Sequence, residues 1–268
     1  LRGREYPLSG AFQIFGGGPP RDRKWMMMAF TPNGGLKNIN QNFIGRILRQ
    51  TRGPVLTAQF AASSPEVEEA LLERAALEIA EGKEFQFLSV GDKPFAMQDW
   101  SMFLSMSDYK LVRLETAKGY VELTGDEGKW GKRLGQRRLE ELRKQIRVAP
   151  DVYGTFVAQT PQGPTQITAK LHHKIMVSGR VAIGGSFNFS VGAENNQAYI
   201  FAFLDDEVRR RYEAIVKTLA RESSASVTEE LLRRNKTKYF DEHIGTDVEA
   251  KKAGRSTIDC TRWLHPAK

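Results

Sequence analysis

Disulfide chemistry is the first thing this sequence lacks: Cys260 is the single cysteine in 268 residues, so no internal disulfide can form. A lone thiol fits a reducing compartment. No apolar run is long enough to read as a membrane-spanning helix. There is no CxxC pair and no HExxH, which removes the usual structural-zinc and metalloprotease patterns, and no GxSxG turn for a serine nucleophile. The glycines of "FGGGPP" lack the spacing of a dinucleotide-binding turn between strand and helix. No internal repeat or low-complexity segment is present. Neither a cofactor nor a metal is expected. Histidine is scarce, with four in the chain. Leu1 stands where a methionine would open a primary translation product, which reads as a processed or truncated chain and is compatible with a secreted or periplasmic location.

What the chain has in excess is positive charge. Lys and Arg outnumber Asp and Glu by 40 to 32, a formal net charge of +8. Such a balance favours polyanionic partners, nucleic acid or an anionic phospholipid surface, and also serves simple solubility.

The patterning is that of an α/β protein: a mixed, largely parallel central sheet flanked by helices. Residues 1–35 are rich in turn formers around a short apolar run, "WMMMAF", and read as an irregular extension or a linker between lobes. From Leu36, apolar residues recur at helical spacing up to Gly53-Pro54. "VLTAQF" then reads as a buried strand. "SSPEVEEALLERAALEIAEG" reads as a helix capped by Ser64, with Pro65 in its first turn, and "EFQFLSV" as a second strand. That order implies a parallel pair. "WGKRLGQRRLEELRKQIRV" reads as one helix, whose basic residues are either a solvated face or a phosphate-facing patch, with Arg137 and Arg138 as substrate-binding candidates. Strands return at "VYGTFVAQ", "TQITAKL", "KIMV", "RVAIG" and "AYIFAFL", followed by a capped helix, "DDEVRRRYEAIVKTLARE". The domain thus spans 36–221. Residues 222–268 read as a further helix and a mobile tail.

One stretch is too polar for a plain strand pair: "KLHHKIMVSGRVAIGGSFNFS". On a strand, His172 and Lys174 point to one face, and Ser186 and Asn188 share that spacing. A hairpin turning at Ser178-Gly179 would bring both pairs together. An imidazole, an ammonium, a hydroxyl and an amide around one point suit a phosphate, with the glycines at 184 and 185 allowing close backbone approach.

"HHK" followed by "GGSFNFS" resembles the HxK(x)4D(x)6GSxN signature of the phospholipase D superfamily, and the order of elements over 36–221 is similar to one catalytic half of that family. The resemblance implies phosphodiester hydrolysis of nucleic acid or phospholipid. His172 would attack phosphorus or protonate the leaving group, Lys174 and Asn188 would bind the phosphate, and Ser186 would support them; His173 would point away. Two positions depart from the pattern. The chain is one residue short between Lys174 and Ser186, which puts Ser178 where the aspartate belongs. Gln197 stands near the place of a later glutamate and is a further substrate-binding candidate, with Glu194 as a substitute carboxylate. The resemblance also implies two HxK motifs per site, whereas His243 and His265 belong to no such motif. The second would come from a homodimer mate, another chain or a missing half. "WMMMAF" and "FAMQDWSMFLSM" are the candidate apolar rims for a lipid substrate. A binding module without turnover is the alternative function.

Overall fold

The computed structural model describes residues 12–17, 24–31, 38–96, 98, 100–113, 121–125, 128–149, 154–160, 163–169, 171–223, 225–227 and 229. The elements run β1 (Phe12–Gly17), β2 (Lys24–Thr31), α1 (Ile39–Gln50), β3 (Val55–Gln59), α2 (Pro65–Ala80), β4 (Phe87–Gly91), α3 (Lys93–Ala96), α4 (Met102–Met106), β5 (Tyr109–Arg113) and β6 (Val121–Gly125). They continue as α5 (Lys129–Leu134), α6 (Gln136–Gln145), β7 (Ile146–Val148), β8 (Gly154–Thr160), β9 (Gly163–Ala169), β10 (Lys174–Ser178), β11 (Val181–Gly185), β12 (Ala198–Leu204), α7 (Asp206–Glu222) and β13 (Ala225–Ser226). A 3-10 turn, Val191–Asn195, links β11 to β12.

Nine strands form one mixed sheet in the order β1-β2-β12-β11-β10-β3-β4-β7-β13. The α/β class and the flanking helices agree with the sequence, but the balance of directions does not. Only β3–β4 and β4–β7 are parallel; the other pairings in this sheet are antiparallel. The strand–helix–strand unit β3–α2–β4 gives its parallel pair as its order requires. Hairpins and returns between distant segments supply the rest.

Local chemistry explains most boundaries. Ser64 caps α2 by accepting the Val67 N–H at 3.2 Å, with Pro65 in the first turn. Asp205 caps α7 by accepting the N–H groups of Glu207 and Val208. The β10–β11 hairpin turns in two residues between Ser178 and Val181. Gly179 has φ 57°, and a Cβ there would lie 2.3 Å from the Arg52 carbonyl oxygen, so the turn requires glycine.

Side chains alternate across the fully buried β10. Met176 joins Ile44, Leu48, Leu71, Trp130 and Ile183 in one core layer, beneath α1, α2 and α4–α6. Ile175 and Val177 join Leu56, Ala58, Val90, Val216 and Leu219 in the other, beneath α7.

Two expectations are corrected, and the place of one strand pair is added. Residues 24–31, inside the supposed irregular extension, form β2 and pair with β12 along its whole length, from Ala198↔Thr31 to Leu204↔Trp25. The helix expected over 130–148 is broken: Gly135 adopts φ 80° and ψ 153°, splitting α5 from α6, and Ile146 enters β7. The strands at 154–169 pair with each other as β8–β9, outside the nine-stranded sheet. The expected C-terminal helix and tail lie outside the described residues apart from 222–223, 225–227 and 229, as do His243 and His265. No helix among the described residues is long and apolar enough to cross a membrane.

Candidate active site

Lys174 opens β10 opposite Gln59, the last residue of β3, and Gln59 in turn lies beside Gly91, the last residue of β4. Just beyond these ends, the Phe60 N–H donates to the His173 carbonyl at 2.8 Å, and the Asp92 N–H donates to the Gln59 carbonyl at 3.0 Å. The carboxyl ends of the parallel pair thus bring Gln59, Phe60 and Asp92 up to the HxK segment, the position at which open α/β sheets characteristically bind ligands.

Lys174 is 6% exposed, an unusual place for an ammonium. Its Nζ donates to the His172 carbonyl at 2.9 Å and lies 4.8 Å from the centre of the Phe60 ring. Burial pushes its pKa down to about 8, while the buried carboxylate of Asp92 pulls the other way. His172 is exposed, and its imidazole meets the Phe60 ring edge-on with centroids 4.5 Å apart. Partial burial, followed by the charges of Lys174 and His173, holds its pKa below 6.5 and favours the neutral imidazole. His173 is also exposed and is likewise held down by burial and by Lys174.

The GSxN segment is fixed by its own aromatic residues. Phe187 and Phe189 are 1% and 2% exposed, pinned in the core on either side of the half-buried Asn188. The Phe189 carbonyl accepts the N–H groups of Ser63 and Ser64 at 2.8 and 3.0 Å, and Phe189 bridges to Ala62. The chain leaving β3 is thereby clasped to both halves of the motif. Asn188 Oδ1 and Gln59 Oε1 are buried acceptors that take no hydrogen bond among the described residues. Ser186 is committed locally. Its Oγ accepts the Tyr199 N–H at 3.0 Å, and the N–H groups of Ser186 and Phe187 both donate to the Tyr199 carbonyl.

The glycine pair has a different reason from the one the sequence suggests. A Cβ at Gly184 would come 2.6 Å from the Tyr212 hydroxyl, and one at Gly185, with φ 140°, 2.3 Å from the Tyr199 carbonyl. Close packing against α7 and β12 by itself demands these glycines.

Ser178, where the resemblance asks for an aspartate, lies at the far end of β10, about 13 Å along the strand from Lys174. Its Oγ accepts from Arg74 Nη1 at 2.6 Å. Glu194 does not turn toward His172. Its Oε1 accepts the N–H groups of Asn40 and Gln41 at 2.9 and 3.0 Å, in the first turn of α1. Burial raises its pKa against the pull of those two bonds. Gln197 is exposed just before β12.

Arg137 and Arg138 are not brought to this corner. Arg137 is solvent-exposed beside Glu141 at 3.6 Å, and Arg138 lines a cleft with Pro54, Val55 and Phe87, at the amino ends of β3 and β4. Other bases of the run are paired, Lys129 with Glu68 at 2.8 Å and Arg133 with Glu69 at 3.7 Å, and Arg143 is buried against the Ser107 carbonyl. A solvated and structural face accounts for them.

Phe60 and Asp92 belong to no sequence motif, and Phe95 and Trp100 lie in "FAMQDWSMFLSM", which the sequence marks only as a candidate apolar rim. The rings of Phe60 and Phe95 lie 4.4 Å apart, and those of Phe95 and Trp100 6.1 Å. The available signal was position: Phe60 and Asp92 each directly follow a buried strand of a parallel pair.

No protein-family model matches the chain. No curated protein matches it. Among solved structures, it is similar to NucT from Helicobacter pylori, with 11% identity, a TM-score of 0.49, and coverage of 75% of this chain and 99% of that one. It is similar to phosphatidylserine synthase from Haemophilus influenzae Rd KW20, with 10% identity, a TM-score of 0.43, and coverage of 87% of this chain and 46% of that one. It is also similar to Nuc from Salmonella typhimurium, a phospholipase D family member, with 10% identity, a TM-score of 0.45, and coverage of 75% and 97%.

Proposed function

We propose that this chain is a phosphodiester hydrolase of the phospholipase D type, with His172 as its nucleophile. The observation that carries the reading is Lys174. A buried ammonium next to an exposed imidazole is costly to maintain without an anion to bind, and the chain leaving β3 is tied both to the HxK segment and to Phe189, beside the buried Asn188 acceptor. Lys174 and Asn188 hold the non-bridging oxygens of the phosphate. A neutral ring nitrogen of His172 attacks phosphorus, a P–N bond forms and the P–O bond to the leaving alcohol breaks, with the departing oxygen protonated by a second imidazole. That imidazole then takes a proton from water, which attacks phosphorus and breaks the P–N bond. Two displacements retain configuration at phosphorus. The second imidazole is supplied by the partner subunit's His172 across a two-fold axis, or by another HxK-bearing chain.

His172→Ala is the direct test. The expected result is a folded protein with turnover lost by at least a thousandfold, on the scale of removing a nucleophile. Normal hydrolysis by that variant would refute the assignment. Sedimentation of the active species tests the pairing: a strictly monomeric active enzyme overturns it.

A second reading, a phosphate-binding module without turnover, draws on one observation. Among the described residues, the charges that shift the His172 pKa are those of Lys174 and His173, both basic, with no carboxylate among them, whereas catalytic imidazoles commonly have one. Binding of a phosphodiester without hydrolysis, unchanged in His172→Ala, would favour that reading.

A further inference from the structure

The aromatic side chains beside His172 form a row that begins at the phosphate corner. The His172 ring meets Phe60 at 4.5 Å and 62°, Phe60 meets Phe95 at 4.4 Å and 49°, and Phe95 meets Trp100 at 6.1 Å and 59°. These spacings are close to those of aromatic pairs in general, yet Phe60, Phe95 and Trp100 are all half-exposed rather than buried. We propose that Phe60, Phe95 and Trp100 form a stacking row for unpaired bases, so that the substrate of this site is single-stranded nucleic acid. The proposal rests on the phosphodiesterase reading above and names the polymer that reading acts on.

Three features support nucleic acid over lipid. First, of the two apolar stretches that could form a rim for acyl chains, the one beside the site turns inward: Met102, Phe103, Leu104 and Met106 are 2%, 1%, 1% and 0% exposed, while the other, on β2, keeps Phe30 50% exposed but belongs to the other side of β12. Among the described residues of the stretch beside the site, the apolar side chains left partly exposed are the rings of Phe95 and Trp100. Planar faces suit bases of any sequence, whereas acyl chains need breadth. Second, the row is rigidly built. The Asp92 carbonyl accepts the N–H groups of Phe95 and Ala96 at 3.1 and 2.7 Å, and the Ala62 carbonyl accepts that of Met102 at 2.9 Å. A Cβ at Gly91 would lie 2.7 Å from Ala96 and 2.8 Å from the Phe103 ring, so the end of β4 is shaped to let this segment pack down. Third, the net charge of +8 suits a polyanion that continues on both sides of the scissile phosphate. In a duplex the bases already stack on one another, so only an unpaired strand can offer them to the row.

Binding is measured by fluorescence anisotropy in a His172→Asn background, which stops turnover, using labelled oligothymidylate, the same strand in a duplex, and phosphatidylglycerol vesicles. The expected order is oligothymidylate well above duplex, with little affinity for vesicles. Phe95→Leu and Trp100→Leu keep apolar volume but lose the flat face, and each weakens oligothymidylate binding by about 5- to 100-fold. Phe95→Tyr and Trp100→Phe keep a ring and retain most of the affinity, which controls for folding. Leucine variants that bind oligothymidylate like the parent overturn the row. Vesicles or duplex bound as tightly as the single strand overturn the substrate class. Hydrolysis of bis(p-nitrophenyl) phosphate by the wild-type chain is scored separately. If it persists while the row fails, the phosphodiesterase reading stands; if it is absent, that reading falls with the proposal.

Discussion

Lys174 and Ser178 stand on the same face of β10, and they serve opposite ends of the molecule. Lys174 reaches the His172 carbonyl and the Phe60 ring. Ser178 bonds Arg74 Nη1 at 2.6 Å and the Thr51 hydroxyl at 2.5 Å. Arg74, 1% exposed, also donates to the Gly53 carbonyl and to Glu78 at 3.0 Å. The position where the motif resemblance expects an aspartate is therefore a clasp holding the β10–β11 hairpin and the α1–β3 loop against α2. The carboxylate that balances Arg74 comes from Glu78 instead.

Ser178→Ala should accordingly cost stability rather than catalysis. It removes one acceptor from a buried guanidinium, worth about 1–3 kcal/mol in urea unfolding. Arg74→Met, which leaves Glu78 buried without its cation, should cost about 3–5 kcal/mol. Turnover per folded Ser178→Ala molecule should stay within a factor of two. A folded variant with activity reduced tenfold would show that the hairpin end matters to the chemistry.

Asp92→Asn tests the electrostatics of the corner. The Asp92 charge raises the Lys174 pKa against the stronger downward effect of burial, which leaves it at about 8. Phosphate binding through the ammonium should weaken as pH rises through that value. Without the Asp92 charge the alkaline limb of kcat/KM should shift to lower pH, with KM rising more than kcat falls. The acidic limb reports His172, whose depressed pKa keeps its nucleophilic neutral form below pH 6.5. An alkaline limb that does not move in Asp92→Asn would exclude the coupling.

Sequence made the local parts of this site legible and left the non-local ones hidden. The β10–β11 hairpin announced itself through a Ser-Gly turn between apolar runs, but the strand spacing read for the HxK and SxN pairs does not apply, because β10 begins at Lys174 and β11 ends at Gly185. β2 was missed because its "WMMMAF" residues are apolar on both faces, which erases alternation, and because its partner β12 lies far along the chain. Gly135 interrupts a pattern whose helical period continues across it, so the α5–α6 break left no periodic trace. Phe60 and Asp92 carry no motif at all. Their roles follow only from where β3 and β4 end beside β10. Glu194 offers a substitute carboxylate by sequence, but its partners on α1 are not legible from spacing.

Glu194 should matter through what it holds. Its Oε1 ties the turn after the GSxN segment to the first turn of α1, where backbone N–H groups favour an acceptor. Glu194→Gln keeps a carbonyl oxygen at that place and should preserve stability to within about 1 kcal/mol, because burial disfavours the charge. Its folded pKa is raised, so the wild-type chain should gain stability relative to Glu194→Gln as pH falls toward 4.5. Glu194→Ala loses the acceptor altogether and should cost about 1–2 kcal/mol, with a lower kcat as the Asn188 segment loosens. Equal stability of the alanine and wild-type proteins would remove this anchoring role.

Lys174→Met should separate stability from function. The folded chain holds the Lys174 proton with a pKa of about 8, against 10.5 for an ordinary lysine. Below pH 8 the side chain is protonated in both states, and the full cost of burying its charge is present. Between pH 8 and 10.5 the unfolded chain binds more protons, so that cost is progressively relieved as pH rises. A gap of about 2.5 pH units at 1.36 kcal/mol each corresponds to a cost on the order of 3 kcal/mol. Methionine matches the lysine stem in length and packs against Phe60 without the charge. The variant should therefore be more stable than wild type by about 1–3 kcal/mol at pH 7, while phosphate binding and turnover are lost. The advantage should shrink across pH 8 to 10.5, and a phosphodiester ligand that stabilises the wild-type chain should leave the variant's melting temperature unmoved. A Lys174→Met protein less stable than wild type at pH 7 would mean that the ammonium is already well compensated within the fold, and that no anion is needed to explain it.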